Sequence, residues 1–107
     1  MKLLTSRIKQ HLSEAWRGAA SKPDPIVQCK FFLPGSAWTW YAISGCELGD
    51  GDWLFFGFVT GYEPEFGEFS LSELLRIKGP LGLTVERDLF FAPRPLSEIV
   101  KWSSFAA

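Results

Sequence analysis

The sequence predicts a small α+β domain with a mainly antiparallel four-stranded sheet and two or three helices packed mostly on one face. Three observations carry that expectation. The segment GEFSLSELLRIKGPLGLTVERDLFF, Gly67 to Phe91, writes out a capped helix, a hard stop and an alternating strand in one run. Upstream, a stretch that alternates in the strand period and one apolar on both faces are parted by a Gly-Asp-Gly-Asp turn. The amino terminus instead repeats its apolar residues at helical spacing. Strands followed by helix, strand and helix favour an antiparallel sheet with helices segregated from it.

Taken in order, the first element is a helix. Thr5 serves as its N-cap, and Ile8, Leu12, Ala15 and Trp16 recur at three- and four-residue spacing. Gly18 ends the pattern, and Pro23 and Pro25 hold the following stretch extended. Ile26 to Leu33 reads as a strand before a Pro34-Gly35 turn. From Trp38 to Ser44 the residues alternate, with Trp38, Trp40 and Ala42 on one side and Thr39, Tyr41 and Ile43 on the other. Asp50-Gly51 suits the positive φ of a tight hairpin. Trp53 to Val59 is apolar on both faces, hence an interior strand, and its Gly57 marks a bulge or a close backbone approach.

Gly61 to Gly67 reads as an acidic loop. Ser70 and Glu73 have capping-box spacing, with Phe69 and Leu74 as the hydrophobic staple. Gly79 and Pro80 stop that helix. Thr84 to Phe91 reads as the fourth strand, with Val85, Arg87, Leu89 and Phe91 on one face. Pro95 to Trp102 reads as a short closing helix.

Length and composition set the bounds. With 107 residues the chain is expected to be a single domain, 1–107. Five Trp and ten Phe supply a core without disulfides or metal. Cys29 and Cys46 fit no metal or redox spacing and read as ordinary thiols in a reducing cytoplasm, a single disulfide between them being the alternative. No window has the apolar length of a membrane span or a signal peptide. A cytoplasmic location without membrane contact is the expectation.

Chemistry-bearing constellations are scarce. The one imidazole, His11, sits on the first helix without a nucleophile nearby in the pattern. Glu47, Asp50 and Asp52 supply oxygen ligands but lack the full calcium-loop pattern. Glu63 and Glu65 flank Pro64 on an extended loop, where neither carboxylate is expected to be buried as glycosidase chemistry needs. No phosphate-binding glycine motif is present, and Gly79 to Gly82 follows a helix instead of opening one. No catalytic residue, metal or cofactor is therefore expected. Arg87, among apolar neighbours, is expected in a structural ion pair with Glu73 or Glu68; the alternative is an anion-binding arginine.

Charge is unevenly placed. No Lys, Arg or His occurs between Lys30 and Arg76, while that interval holds Glu47, Asp50, Asp52, Glu63, Glu65, Glu68 and Glu73. A nucleic-acid binder concentrates basic residues instead. Direct nucleic-acid binding is thus the rival reading, through Arg7, Arg17, Lys22 and Arg94.

MKLLT, Lys30-Phe31-Phe32, Trp38-Thr39-Trp40, the Asp-Gly-Asp turn, GYEPEFGEFSLSEL, GPLGLTVERDLFF and PLSE together resemble a family of small bacterial proteins catalogued as a domain of unknown function. The resemblance runs nearly end to end. It implies a setting on plasmids and other mobile elements, and it carries over no mechanism and no catalytic residue. The resulting expectation is a non-enzymatic protein-binding module, in its sharper form an inhibitor of a host nucleic-acid-binding defence protein. Asp50, Asp52, Glu63, Glu65 and Glu68 would contact that unidentified host protein. A homodimer through an apolar sheet face is the other partner considered.

Overall fold

The computed structural model describes residues 2–16 and 23–100. Helix α1 (Ser6–Trp16) starts as expected, with the Thr5 hydroxyl accepting the Ile8 N–H at 3.2 Å. It packs on the central strand and places Leu12, fully buried, in the main core. The sequence-derived strand from Ile26 is divided in two. β1 (Ile26–Val27) pairs with β7 (Arg94–Pro95) in a separate two-stranded ribbon, and β2 (Cys29–Phe32) joins the main sheet.

That sheet has five strands, not four. β3 (Thr39–Glu47), β4 (Trp53–Thr60) and β5 (Glu65–Ser70) follow β2 as a meander, and β6 (Glu86–Arg87) returns to the far side of β2. The order is β5-β4-β3-β2-β6, with every pair antiparallel. β4 is interior, as its apolar faces require. Gly57 is the point of close approach: a Cβ there would collide with the Tyr41 carbonyl oxygen. The bulge lies opposite, in β3, where the register slips between Ala42 and Ser44.

The fifth strand, β5, comes from the stretch that reads as an acidic loop. Its apolar residues, Phe66 and Phe69, are three apart and so face opposite sides, which hides the alternation. Phe69 is buried against Phe55 at 5.2 Å, whereas Phe66 packs on Phe58 at 5.0 Å across the other face. The expected strand at Thr84–Phe91 shrinks to Glu86–Arg87. Asp88 ends it: its carboxylate accepts the Phe90 N–H at 2.9 Å and its carbonyl the Phe91 N–H at 3.3 Å. Leu89 and Phe90 consequently stand exposed instead of sharing alternate faces.

Helix α2 (Leu71–Arg76) carries the expected cap, the Ser70 hydroxyl accepting the Glu73 N–H at 3.2 Å. Phe69 and Leu74 are both buried in the main core with Phe31, Trp40, Trp53, Phe55 and Val85. A smaller core on the other face joins Val27, Ile43, Phe58 and Leu96. The closing element, a 3-10 turn at Leu96–Glu98, therefore packs opposite the main core, so the helical elements do not all share one face. Asp24 anchors it, accepting the Ser97 N–H at 3.0 Å and the Ser97 hydroxyl at 2.6 Å. Lys101 and Trp102, assigned to that element from the sequence, lie outside the described residues.

Candidate functional site

The five acidic residues singled out by sequence separate into two groups. Asp50 and Asp52 sit in the β3–β4 turn, where Gly51 takes φ 85°. Asp50 is exposed, and its carboxylate accepts the Asp52 N–H at 3.1 Å. Asp52 is engaged internally. One of its oxygens accepts the Trp53 N–H at 2.8 Å and the Ser72 N–H at 2.9 Å, and the other accepts the Ser72 hydroxyl at 2.7 Å. Ser72 lies in the first turn of α2, whose N–H groups have no helical partner, so Asp52 caps that helix from a distant turn. The Ser72 hydroxyl bond is the main reason that the Asp52 carboxyl titrates below its usual range, assisted by the two N–H bonds and by Arg76.

Glu63, Glu65 and Glu68 belong to the other end and to the edge. β4 runs from Trp53 to Thr60, roughly 23 Å at about 3.3 Å per residue. Asp52 adjoins one end of it and Glu65, paired with Val59, lies near the other. Charges so far apart are screened from each other, the Debye length being about 8–10 Å. The acidic residues thus form no single patch. Glu65 and Glu68 project to opposite faces of β5, the outermost strand of the sheet, and both are exposed.

Aromatic residues adjoin this group. Tyr62, 93% exposed, meets the Trp38 ring edge-on at 5.7 Å, and Trp38 stacks on Trp40 at 5.9 Å. Gly61 makes this contact available, since a Cβ there would meet the Trp38 ring at 2.5 Å. Trp38, Trp40, Leu33 and Ile77 line an apolar hollow of about 380 Å³. Trp40, Val59 and Glu65 fall in one cross-strand row, which puts the hollow and the acidic edge at the same end of the sheet. Trp40 is buried in the main core, whereas Trp38 is half-buried and Tyr62 is open.

The remaining candidates resolve as follows. Arg87 lies on β6, at the sheet margin opposite to β5 and its Glu68, and its guanidinium donates to the Lys2 carbonyl at 2.9 Å. Lys30 pairs with Asp88 at 3.6 Å. Arg94 lies over the Phe91 ring at 5.2 Å. Arg17 and Lys22 lie outside the described residues. Both cysteines are free, and burial pushes the Cys29 thiol up to about 12, against the lowering influence of Arg87. Among the described residues no three His, Cys, Asp or Glu side chains are grouped to hold a metal, and no helix is long and apolar enough to cross a membrane.

Among the described residues these features make up a small α+β domain whose outermost strand, β5, carries exposed glutamates near an aromatic hollow. The chain belongs to the family described as "Protein of unknown function (DUF2958)", whose model matches residues 3–107. No curated protein and no solved structure matches it.

Proposed function

We propose that this chain is a non-enzymatic protein-binding module of bacterial mobile elements, acting in the cytoplasm and docking through the β5 edge. The observation that supports the reading is the coincidence of three things along one margin of the sheet: β5 as its outermost strand among the described residues, exposed Glu63 and Glu65 at one end with exposed Glu68 farther along on the other face, and the Tyr62–Trp38 aromatic pair beside an apolar hollow. An exposed edge offers backbone N–H and C=O groups to an added strand, and the side chains along it choose the partner. Here they choose a basic one, since opposite charge speeds encounter and fixes register. A protein with a basic nucleic-acid-binding groove fits, which makes inhibition of such a protein the outcome of docking.

A second copy of the chain fits the same edge less well. Pairing two β5 edges would bring glutamates against glutamates, and like charges directly across a ladder destabilise it. The test is capture from nuclease-treated bacterial lysate with tagged wild type, Glu63→Lys/Glu65→Lys/Glu68→Lys, and Asp50→Lys. The reading expects a basic protein held by wild type and by Asp50→Lys, released by added single-stranded DNA, and lost by the triple variant. Retention by the folded triple variant would overturn it.

A further inference from the structure

A second concavity, of about 400 Å³, opens between the start of α1, the start of β2 and the segment after β6. Among the described residues its polar lining is mostly basic or neutral, Arg7, His11 and Gln28 with Arg87, against one carboxylate, that of Asp88. That carboxylate already faces Lys30 at 3.6 Å. Arg7 and His11 are four residues apart on α1 and so lie on one helix face, one above the other. Arg87 reaches the cleft from β6 and is held in position by the Lys2 carbonyl at 2.9 Å. Its charge also reaches the buried Cys29 thiol on the cleft wall. Ile8, Leu89 and Phe91 supply an apolar side to the same space.

From this we infer that the cleft is a binding site for a small organic anion, with a phosphate or carboxylate group toward Arg7, His11 and Arg87 and an apolar body against Ile8, Leu89 and Phe91. The size is that of small-molecule sites, which are mostly apolar with a few convergent polar groups. Guanidinium groups suit a planar or tetrahedral oxyanion because their N–H donors lie in a fixed fork. The site is independent of the β5 edge: β6 and β5 are the two opposite margins of the sheet. It also gives the exposed Leu89 a role, as the rim of an apolar wall.

The experiment is a ¹⁵N-labelled titration of the full chain with phenyl phosphate, inorganic phosphate, benzoate and a twenty-base single-stranded DNA, at fixed ionic strength. The expected result is saturable shifts at His11, Gln28, Arg87 and Leu89 with phenyl phosphate or benzoate, and weaker binding of inorganic phosphate, which leaves the apolar wall empty. Arg7→Gln, at an exposed helix position, should keep the fold and weaken phenyl phosphate about tenfold or more, as expected for one charge-assisted hydrogen bond. Arg87→Gln should weaken it similarly if that variant folds. Absence of saturable shifts with any small anion would overturn the site, as would equal affinity in Arg7→Gln. Tighter binding of the DNA than of phenyl phosphate, with shifts spread beyond the cleft, would overturn the small-ligand assignment in favour of a polyanion surface.

Discussion

Gly57→Ala gives the sharpest test of the sheet, because the residue faces another glycine for which the expected sign is reversed. In β4, Gly57 is paired with Ala42 on one side and with Gly67 of β5 on the other. An added Cβ would fall on the Tyr41 carbonyl, 3.0 Å from the carbonyl carbon and 3.2 Å from the Ala42 Cα. All of these are backbone atoms of an interior strand, so no side chain can swing aside. Relief requires β3 and β4 to part beside the bulge. Overpacking a core costs about 1–3 kcal/mol and a lost ladder hydrogen bond about 1 kcal/mol more, roughly 2–4 kcal/mol together. With a urea slope of about 1.5 kcal/mol per M, the midpoint should fall by roughly 2 M. Gly67 has nothing within 4 Å of its Cβ position. Gly67→Ala should therefore stabilise by about 0.5 kcal/mol, from the lower entropy of the unfolded chain. Urea unfolding followed by tryptophan fluorescence measures both. A Gly57→Ala midpoint within 0.3 M of wild type would refute the packing argument.

Further expectations concern the turn, the thiols and the exposed loop. Asp52→Asn should lower Tm at neutral pH and flatten the acid limb of the stability curve. The folded carboxyl titrates below its unfolded value, so its contribution is present above about pH 4 and disappears as pH falls through the lower folded value. Ser72→Ala should reproduce most of that loss, and an unchanged acid limb in both variants would contradict the Asp52–Ser72 clamp. Native protein at pH 8 should show one fast-reacting thiol, the half-buried Cys46, and two after denaturation, because Cys29 is buried and held as the neutral thiol. Leu81 has φ 60° and is 99% exposed. Leu81→Gly should leave Tm unchanged or raise it, since relief of about 1–2 kcal/mol of left-handed strain outweighs the entropy of one more glycine; a clear fall in Tm would contradict this.

How far the sequence reveals the molecule depends on how local each signal is. The Thr5 and Ser70 caps, the interior position of β4 and the close approach at Gly57 are written in a few adjacent residues, and all are present. β5 is not legible because an edge strand needs only one neighbour, and Glu-Phe-Gly-Glu-Phe-Ser breaks simple alternation to feed a phenylalanine to each face. Thr84–Phe91 fails for the opposite reason: its alternation continues past a turn that Asp88 imposes. In the candidate site, acidic character is visible in sequence but its division is not. Asp52 looks like Asp50 until the fold brings Ser72, twenty residues on, to its carboxylate. Arg87 is similar, since an acceptor that it finds, the Lys2 carbonyl, is 85 residues away.

The docking claim is tested most directly by hydrogen exchange along β5 in the presence of the basic protein captured from lysate. The account predicts new protection confined to Glu65–Ser70 and the Tyr62–Glu63 segment, and lost with the triple lysine variant. Protection that left those amides unchanged and appeared instead on α1 or around Asp50 would contradict it.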